Sequence, residues 1–172
     1  MTRRSAGVTV WRIAAESRQH RATDLSGAGS ARYPGRWNEV EQAIVYAADC
    51  PALAMLETLA HVGETASFPL NRFLVRIDMP RAVWARAKRL QADELDAAWA
   101  AVPAGASAAE TGAAWLRSLA SAVLCVPSVI VPEHQAVLIN PRHPDAKALR
   151  ATAMRRVDYA LALRKGRTRP AA

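Results

Sequence analysis

Short β-branched and apolar segments, interrupted by prolines, constrain the fold of this chain more than any other feature. Segments of this length and composition are typical of strands that are buried on one or both faces. Proline stops or punctuates several of them, because its nitrogen donates no hydrogen bond to a neighbouring strand. The sequence therefore predicts strands at residues 8–14, 43–48, 72–78, 122–131 and 136–140.

Helical segments separate some of these strands without alternating with them strictly. The clearest predicted helix is capped by Asp49, has Pro51 in its first turn, and runs to about Val62, where Gly63 can end it. This irregular order indicates an α+β domain with a mixed or antiparallel sheet and flanking helices. Further helices are predicted at residues 93–101, 108–120 and 145–154, and an alternating strand at residues 157–163.

Length and composition indicate a single domain in the cytoplasm. The chain has 172 residues, of which 51% are hydrophobic, enough for one domain with a core. We expect this domain to span residues 1–172, with its core at about 8–163 and a basic tail at 164–172. No apolar run approaches the roughly 20 residues of a membrane helix, and no clear leader cleavage site follows the N-terminus. Two cysteines, Cys50 and Cys125, suggest neither a disulfide framework nor a metal pattern.

The charge of the chain favours anionic partners. The formal net charge is +8, which suits a nucleic acid, an acidic protein or a phosphate-bearing ligand. Part of the excess lies in the two ends, which we interpret as solvated tails. No helix-turn-helix, zinc-finger or RNP-like motif accompanies it, so direct nucleic-acid binding is not predicted. A basic nucleic-acid or partner-binding module without catalysis nevertheless remains an alternative.

Three arginines are candidates for gripping phosphate oxygens. Arg36 follows a glycine in the long loop 22–38, and long loops in compact domains are usually functional. A guanidinium grips phosphate through two parallel hydrogen bonds. Pairing of Arg36 with a nearby carboxylate, Glu39 or Glu41, is the structural alternative. Arg32 in the same loop and Arg12 on the first strand are the other two candidates.

Tyr46 and Glu57 are candidates that each have a structural alternative. Tyr46 lies inside the second predicted strand, where a tyrosine is either core or stacks on a flat ligand ring. Glu57 lies at the border of the apolar face of the following helix, where a carboxylate must be paired or used. His61, four residues further on, is the structural partner for Glu57.

Ser128 follows Pro127 and completes the candidate set, again either as a turn residue or as a ligand contact. The chain has no nucleophile elbow of the GxSxG type and no convincing Ser-His-Asp set. Its four histidines have no metal-binding spacing, so no metal site is predicted. The glycine-rich stretch SGAGS matches neither a Walker A motif nor a Rossmann fingerprint.

Several motifs in order along the chain resemble the RES domain family. They are VWRI, GRWN, VYAADCPALAMLETLAH, GAAWL, VPSVIVP and LINPRHP, from Val10 to His143. The resemblance implies a fold like that of ADP-ribosyltransferases, with a cleft for NAD. It also implies the toxin of a bacterial toxin–antitoxin pair, with an Xre-like antitoxin as its partner. Family members destroy NAD by hydrolysis or phosphorolysis, and one branch transfers ADP-ribose to a protein.

The resemblance assigns roles to the candidate residues. By motif position, the arginine, tyrosine, glutamate and serine of the family fall on Arg36, Tyr46, Glu57 and Ser128. Glu57 and Arg36 are expected to be catalytic, while Arg36, Tyr46, Ser128 and Arg12 are expected to bind NAD as substrate, without a metal. The acceptor is water or inorganic phosphate, and a protein acceptor is the alternative. The stretches EVEQA and HQAV depart from the family pattern without removing any of the four residues.

Overall fold

A seven-stranded sheet forms the centre of the domain, within the part of the chain that the computed structural model describes, residues 7–60 and 71–159. The strands lie in the order β4-β5-β6-β2-β1-β3-β7. The β4–β5 pair is parallel and the other pairs are antiparallel. The predicted α+β class with a mixed sheet is therefore confirmed. The strands are β1 (Val8–Ala15), β2 (Val45–Ala48), β3 (Arg72–Met79), β4 (Lys88–Arg89), β5 (Val123–Pro127), β6 (Gln135–Ile139) and β7 (Arg150–Arg156).

Four α-helices and two short 3-10 segments accompany the sheet in the described residues. In residues 7–60 and 71–159, no helix has the length and apolar character needed to cross a membrane. The helices are α1 (Ala28–Arg32), α2 (Pro51–Ala60), α3 (Arg81–Ala85) and α4 (Ala106–Ser118), and the 3-10 segments are Ala92–Glu94 and Pro144–Ala148.

The two faces of the sheet bury different sets of side chains, because successive residues of a strand point in opposite directions. One face, here called the reverse face, packs Val10, Val45 and Val137 into the larger core cluster. The other face, here called the α2 face, carries Tyr46 and Leu138, together with the residues on which α2 packs. These residues are Trp11, Ile13 and Ala48.

The sheet narrows between β1 and β2. Strand β1 pairs with β3 along its whole length, from Val8↔Met79 to Ala15↔Arg72, whereas it meets β2 at Trp11↔Ala48. On its other side, strand β2 pairs with β6 through four residue pairs, from Val45↔Ile139 to Ala48↔Ala136. Two well-paired halves therefore meet at a narrow junction, and α2 packs beside that junction.

Three local predictions between α2 and β6 are wrong. Asp49 does not cap α2: its carboxylate accepts the Gln135 N–H at 3.0 Å, and the Cys50 Sγ accepts the Leu53 N–H at 3.4 Å instead. Residues 93–101 form the end of a 3-10 segment, a bend and a turn rather than a helix, and Leu95 and Trp99 pack against the core. Residues 128–131 leave the sheet, because the Ser128 hydroxyl accepts the N–H groups of Ile130 and Val131.

The predicted helix at 145–154 is also wrong. After the 3-10 segment Pro144–Ala148, the chain forms strand β7, which pairs with β3 at Val75↔Ala153 and Ile77↔Ala151. The pairing site offered by β3 overrides the helix propensity of this alanine-rich stretch. By contrast, the helix predicted at 108–120 is confirmed as α4.

Several predictions fall partly or wholly outside the described residues. Val157 and Tyr159 are buried beyond the end of β7, but the rest of the strand predicted at 157–163 is not described. The same holds for the end of α2 at Val62 and Gly63, for His61 and for the basic tail 164–172. The long loop 22–38 is described and contains α1.

Candidate active site

Tyr46 holds the loop that carries Arg36. Its hydroxyl donates to the Asn38 Oδ1 at 2.7 Å and accepts the backbone N–H of Trp37 at 3.0 Å. Burial raises the pKa of Tyr46 above its ordinary value, with smaller opposing effects from the Trp37 N–H and the Arg36 charge. The phenol therefore stays protonated at neutral pH, so it keeps donating its hydrogen to Asn38. We call residues 33–43 the Arg36 loop.

Asn38 is the centre of the Arg36 loop, and its side chain is buried, with the residue 2% exposed. Its Nδ2 donates to three backbone carbonyl oxygens, those of Ser30, Glu39 and Gln42, at 2.8–3.1 Å. Its Oδ1 accepts from the Gly35 N–H at 2.9 Å as well as from Tyr46. Asn38 is not among the residues predicted from the sequence, although asparagine in a glycine- and proline-rich loop is typical of such side-chain to backbone contacts.

Two glycines allow the Arg36 loop to lie close to its neighbours. A Cβ at Gly35 would lie 2.8 Å from the Cζ and the hydroxyl oxygen of Tyr46. A Cβ at Gly112 of α4 would collide with the backbone of Trp37. Contacts this short are essentially never seen for a real Cβ, so both positions require glycine for close approach. The loop is thereby clamped between β2 and α4.

Arg36 is anchored by one of its two terminal nitrogens. Its Nη1 donates to the carbonyl oxygens of Trp99 at 2.8 Å and Ala101 at 2.9 Å. The Trp37 and Trp99 rings stack beside it, with centroids 6.2 Å apart. Within residues 7–60 and 71–159, Arg36 forms no ion pair, so the predicted pairing with Glu39 or Glu41 is not present. In the same residues Nε and Nη2 have no hydrogen-bond partner, and together they form one edge of the guanidinium.

Glu57 and Ser128 are in direct contact, although they lie 71 residues apart in the sequence. The Ser128 hydroxyl donates to the Glu57 Oε1 at 2.7 Å. The same hydroxyl oxygen accepts two backbone N–H groups, of Ile130 and Val131, each at 3.1 Å. Ser128 is 1% exposed. The predicted turn role is therefore present, and the same hydroxyl also contacts Glu57.

The two remaining arginine candidates lie apart from these residues. Arg12 shares the reverse face with Val10 and Ala14, whereas Tyr46 points to the α2 face. The Arg12 Nη1 donates to the Asp24 carbonyl oxygen at 3.0 Å, and burial lowers the pKa of Arg12 against the attraction of the Asp24 charge. Arg32 is exposed and lies over the Tyr33 ring, 5.4 Å from its centroid. The structure brings Arg36 to Tyr46 and Glu57 to Ser128, but it does not bring Arg12 or Arg32 to either pair.

The two pairs lie on the same side of the sheet at some distance from each other. Tyr46 is level with Leu138 of β6 and Leu124 of β5, and Ser128 follows the end of β5. From strand rise and strand spacing, the Cα atoms of Tyr46 and Ser128 are separated by roughly 15 Å. A cavity of about 120 Å³ lies beside the Arg36 loop and is lined by Glu41, Leu116 and Arg117 among others. None of the candidate residues lines this cavity.

Comparison with known proteins identifies relatives over most of the chain. The RES domain model matches residues 9–162. The "Prs ADP-ribosylating toxin" of Sphingobium sp. (strain YBL2) is 49% identical over 149 residues, which cover 87% of this chain and 92% of the relative. "Toxin Res" of Pseudomonas putida (strain KT2440) is 36% identical over 140 residues, which cover 81% of this chain and 88% of the relative.

A solved structure shares the fold. It is the toxin–antitoxin complex MbcT–MbcA of M. tuberculosis, one chain of which matches with a TM-score of 0.68 and 16% sequence identity. The match covers 90% of this chain and 86% of that chain, so it extends over both halves of the sheet. Because the domain model spans nearly all of the described residues and the curated relatives are this similar, the chain belongs to the RES domain family, the family of these toxins.

Proposed function

We propose that this toxin depletes NAD by cleaving the bond between nicotinamide and ribose, with water or inorganic phosphate as the acceptor. The hydrogen bond between Ser128 and Glu57 is the observation that carries the proposal. It places a carboxylate and a buried hydroxyl together from distant parts of the chain. Such an arrangement suits a site in which a carboxylate faces a developing positive charge.

The bond chemistry defines the work of Glu57. Nicotinamide leaves with the bonding electron pair and becomes neutral, while the ribose becomes an oxocarbenium-like cation at its C1 carbon. A carboxylate stabilises that cation, as carboxylates do in glycoside hydrolysis. Water or phosphate then attacks C1, and the attacking oxygen of water loses its proton to solvent. Ser128 acts by holding the Glu57 carboxylate in one orientation through its 2.7 Å hydrogen bond.

Arg36 supports the proposal as the anchor for the diphosphate. With Nη1 held by two carbonyl oxygens, the Nε and Nη2 edge can form two parallel hydrogen bonds to phosphate oxygens. The Cα atoms of Tyr46 and Ser128 are roughly 15 Å apart on one side of the sheet. An elongated ligand can therefore contact both polar pairs. The Tyr46 ring is expected to stack on nicotinamide. In this proposal the Tyr46 hydroxyl also keeps the Arg36 loop in place through its hydrogen bonds.

Transfer of ADP-ribose to a protein is the second candidate. The relative from Sphingobium that is 49% identical bears the name "Prs ADP-ribosylating toxin". The cleavage step is the same, and only the nucleophile that attacks C1 differs. The corresponding proposal for this chain is therefore a protein side chain as acceptor, with Glu57 and Arg36 in unchanged roles.

A protein inhibitor is the proposed partner. The related fold from M. tuberculosis was solved as a toxin–antitoxin complex, and the net charge of +8 favours an inhibitor with acidic segments. We propose an Xre-like antitoxin that covers the site. Co-expression should give a stable complex that does not consume NAD, and a complex as active as the free chain would contradict the assignment.

One experiment separates these functions. NAD labelled in its adenosine part is incubated with the purified chain, with and without phosphate, and with a cell extract. Free ADP-ribose supports hydrolysis, its phosphorylated form supports phosphorolysis, and label on protein supports transfer. Intact NAD in every condition, together with salt-sensitive binding to DNA, would instead favour the nucleic-acid-binding alternative.

A further inference from the structure

We propose that Asp49, Cys50 and His134 form a binding site for a zinc-like divalent cation at the junction of β2, α2 and β6. One potential ligand atom from each residue lies within 4.8 Å of the other two. The sequence did not reveal this group, because Asp49 and His134 are 85 residues apart. The inference is independent of the NAD chemistry proposed above.

The backbone fixes all three positions. Asp49 follows the last residue of β2 and Cys50 precedes the first residue of α2, while His134 precedes β6, which pairs with β2 at Ala48↔Ala136. The Asp49 N–H donates to the Gln135 carbonyl oxygen at 3.1 Å, and the Gln135 N–H donates to the Asp49 Oδ2 at 3.0 Å. The ligands are therefore presented by the ends of regular elements, not by free loops.

The side chains are already close to coordination geometry. The His134 Nδ1 lies 3.0 Å and 3.1 Å from the two Asp49 carboxylate oxygens. Ligand atoms around a tetrahedral zinc ion are about 3.4–3.6 Å apart, given the usual metal–ligand distances. The Cys50 Sγ, at most 4.8 Å from either partner, therefore needs only a shift on the order of 1 Å to complete a three-ligand site.

The ligand types select the class of cation. A thiolate, an imidazole and a carboxylate suit zinc and similar borderline-soft ions, whereas magnesium and calcium prefer oxygen ligands alone. The His134 side chain is 46% exposed and that of Asp49 is 31% exposed, so an ion can enter from solvent. Binding releases the thiol proton of Cys50. Water supplies the fourth ligand, as in other zinc sites with three protein ligands.

The location links this ion to the Glu57–Ser128 pair. Helix α2 begins directly after Cys50 and carries Glu57 further along. The Ser128 N–H donates to the His134 carbonyl oxygen at 3.0 Å, so His134 closes the turn that begins at Ser128. A cation at the proposed site would join the same two elements that the Ser128–Glu57 hydrogen bond joins.

Zinc alone, titrated into the metal-stripped full-length chain with a competing chromophoric chelator, tests the proposal. We expect one tightly bound equivalent, a rise in melting temperature, and no comparable binding of magnesium. Cys50→Ser and His134→Ala should each weaken zinc binding at least about tenfold. The controls Cys125→Ala and His20→Ala, which change a thiol and an imidazole elsewhere, should keep wild-type zinc affinity.

Alkylation provides a second measurement that needs no variant. Zinc should slow the reaction of Cys50 with iodoacetamide in the wild-type chain, measured on the Cys50 peptide by mass spectrometry, and magnesium should not. Absence of a stoichiometric zinc site, equal zinc affinity in the Cys50→Ser and His134→Ala proteins, or unprotected Cys50 at saturating zinc would each overturn the proposal.

Discussion

The Arg36 loop and the Glu57–Ser128 pair are held together in very different ways. The loop is fixed by a network in which the Asn38 carboxamide alone makes five hydrogen bonds, four of them to backbone groups. The Glu57–Ser128 pair joins two side chains from α2 and the end of β5 by a hydrogen bond of 2.7 Å. We therefore expect substitutions in the loop to affect mainly stability, whereas for the pair we propose a role in chemistry.

Substitution of Glu57 should have the largest effect on activity. Glu57→Gln keeps the shape of the side chain but removes the charge that we propose stabilises the ribose cation. We expect NAD cleavage to fall on the order of 100-fold or more, with little change in melting temperature. Glu110→Gln, on the exposed side of α4, is the matched control and should retain full activity. Unchanged cleavage by Glu57→Gln would remove Glu57 from the site.

Substitution of Asn38 should have the largest effect on stability. Asn38→Ala leaves several part-buried partners of the carboxamide without hydrogen bonds, so the free energy of unfolding should fall by about 2–4 kcal/mol. Urea unfolding of the variant measures this loss. Asn71→Ala, which removes an exposed asparagine side chain, should change the free energy of unfolding by less than about 0.5 kcal/mol. Equal free energies of unfolding for the two variants would show that the Asn38 carboxamide does not stabilise the Arg36 loop.

Arg36 belongs to the loop that Asn38 holds in place, but we expect its side chain to bind the ligand. Arg36→Lys keeps the charge and loses the bidentate geometry, so NAD binding should weaken about tenfold. Calorimetric titration with NAD measures this, and Arg32→Lys at the end of α1 is the control. If both variants bind NAD as the wild type does, Arg36 is a structural cation held by Trp99 and Ala101.

The stability that the Tyr46 hydroxyl gives to the Arg36 loop should depend on pH. Because burial raises the pKa of Tyr46, the folded state holds the phenol proton more tightly than the unfolded state does. The resulting stability is present below the ordinary tyrosine pKa of about 10 and is lost as pH rises above it. Tyr46→Phe should cost about 1–2 kcal/mol at neutral pH and show a shallower loss of stability at alkaline pH.

Urea unfolding of both proteins at neutral and alkaline pH is the measurement. The pKa of Tyr159 is also raised by burial, so part of the alkaline loss should persist in the Tyr46→Phe protein. Identical pH profiles for the two proteins would mean that the Tyr46 hydroxyl is not coupled to folding through the Arg36 loop.

Local sequence patterns were sufficient for most of the sheet and for α4. β-Branched and apolar patterns identified β1, β3 and β6, because such segments suit half-buried or fully buried strands whatever their partners are. Pro80 and Pro141 marked the ends of β3 and β6. The same reasoning predicted a helix at 145–154, where the structure has β7. The alanine-rich segment has a helix propensity, but such a propensity is a weak guide, and pairing with the edge of β3 decided in favour of a strand.

The sequence by itself determined the α+β class, the long loop that contains Arg36, and the residue types of the candidate site. Only the tertiary structure decided that Ser128 meets Glu57, that Arg12 lies on the reverse face, and that Asn38 organises the loop. It likewise decided that Asp49 and His134 meet beside Cys50. The physical reason is that strand pairing and the direction of each side chain set these contacts between residues distant in sequence, and no local pattern encodes them.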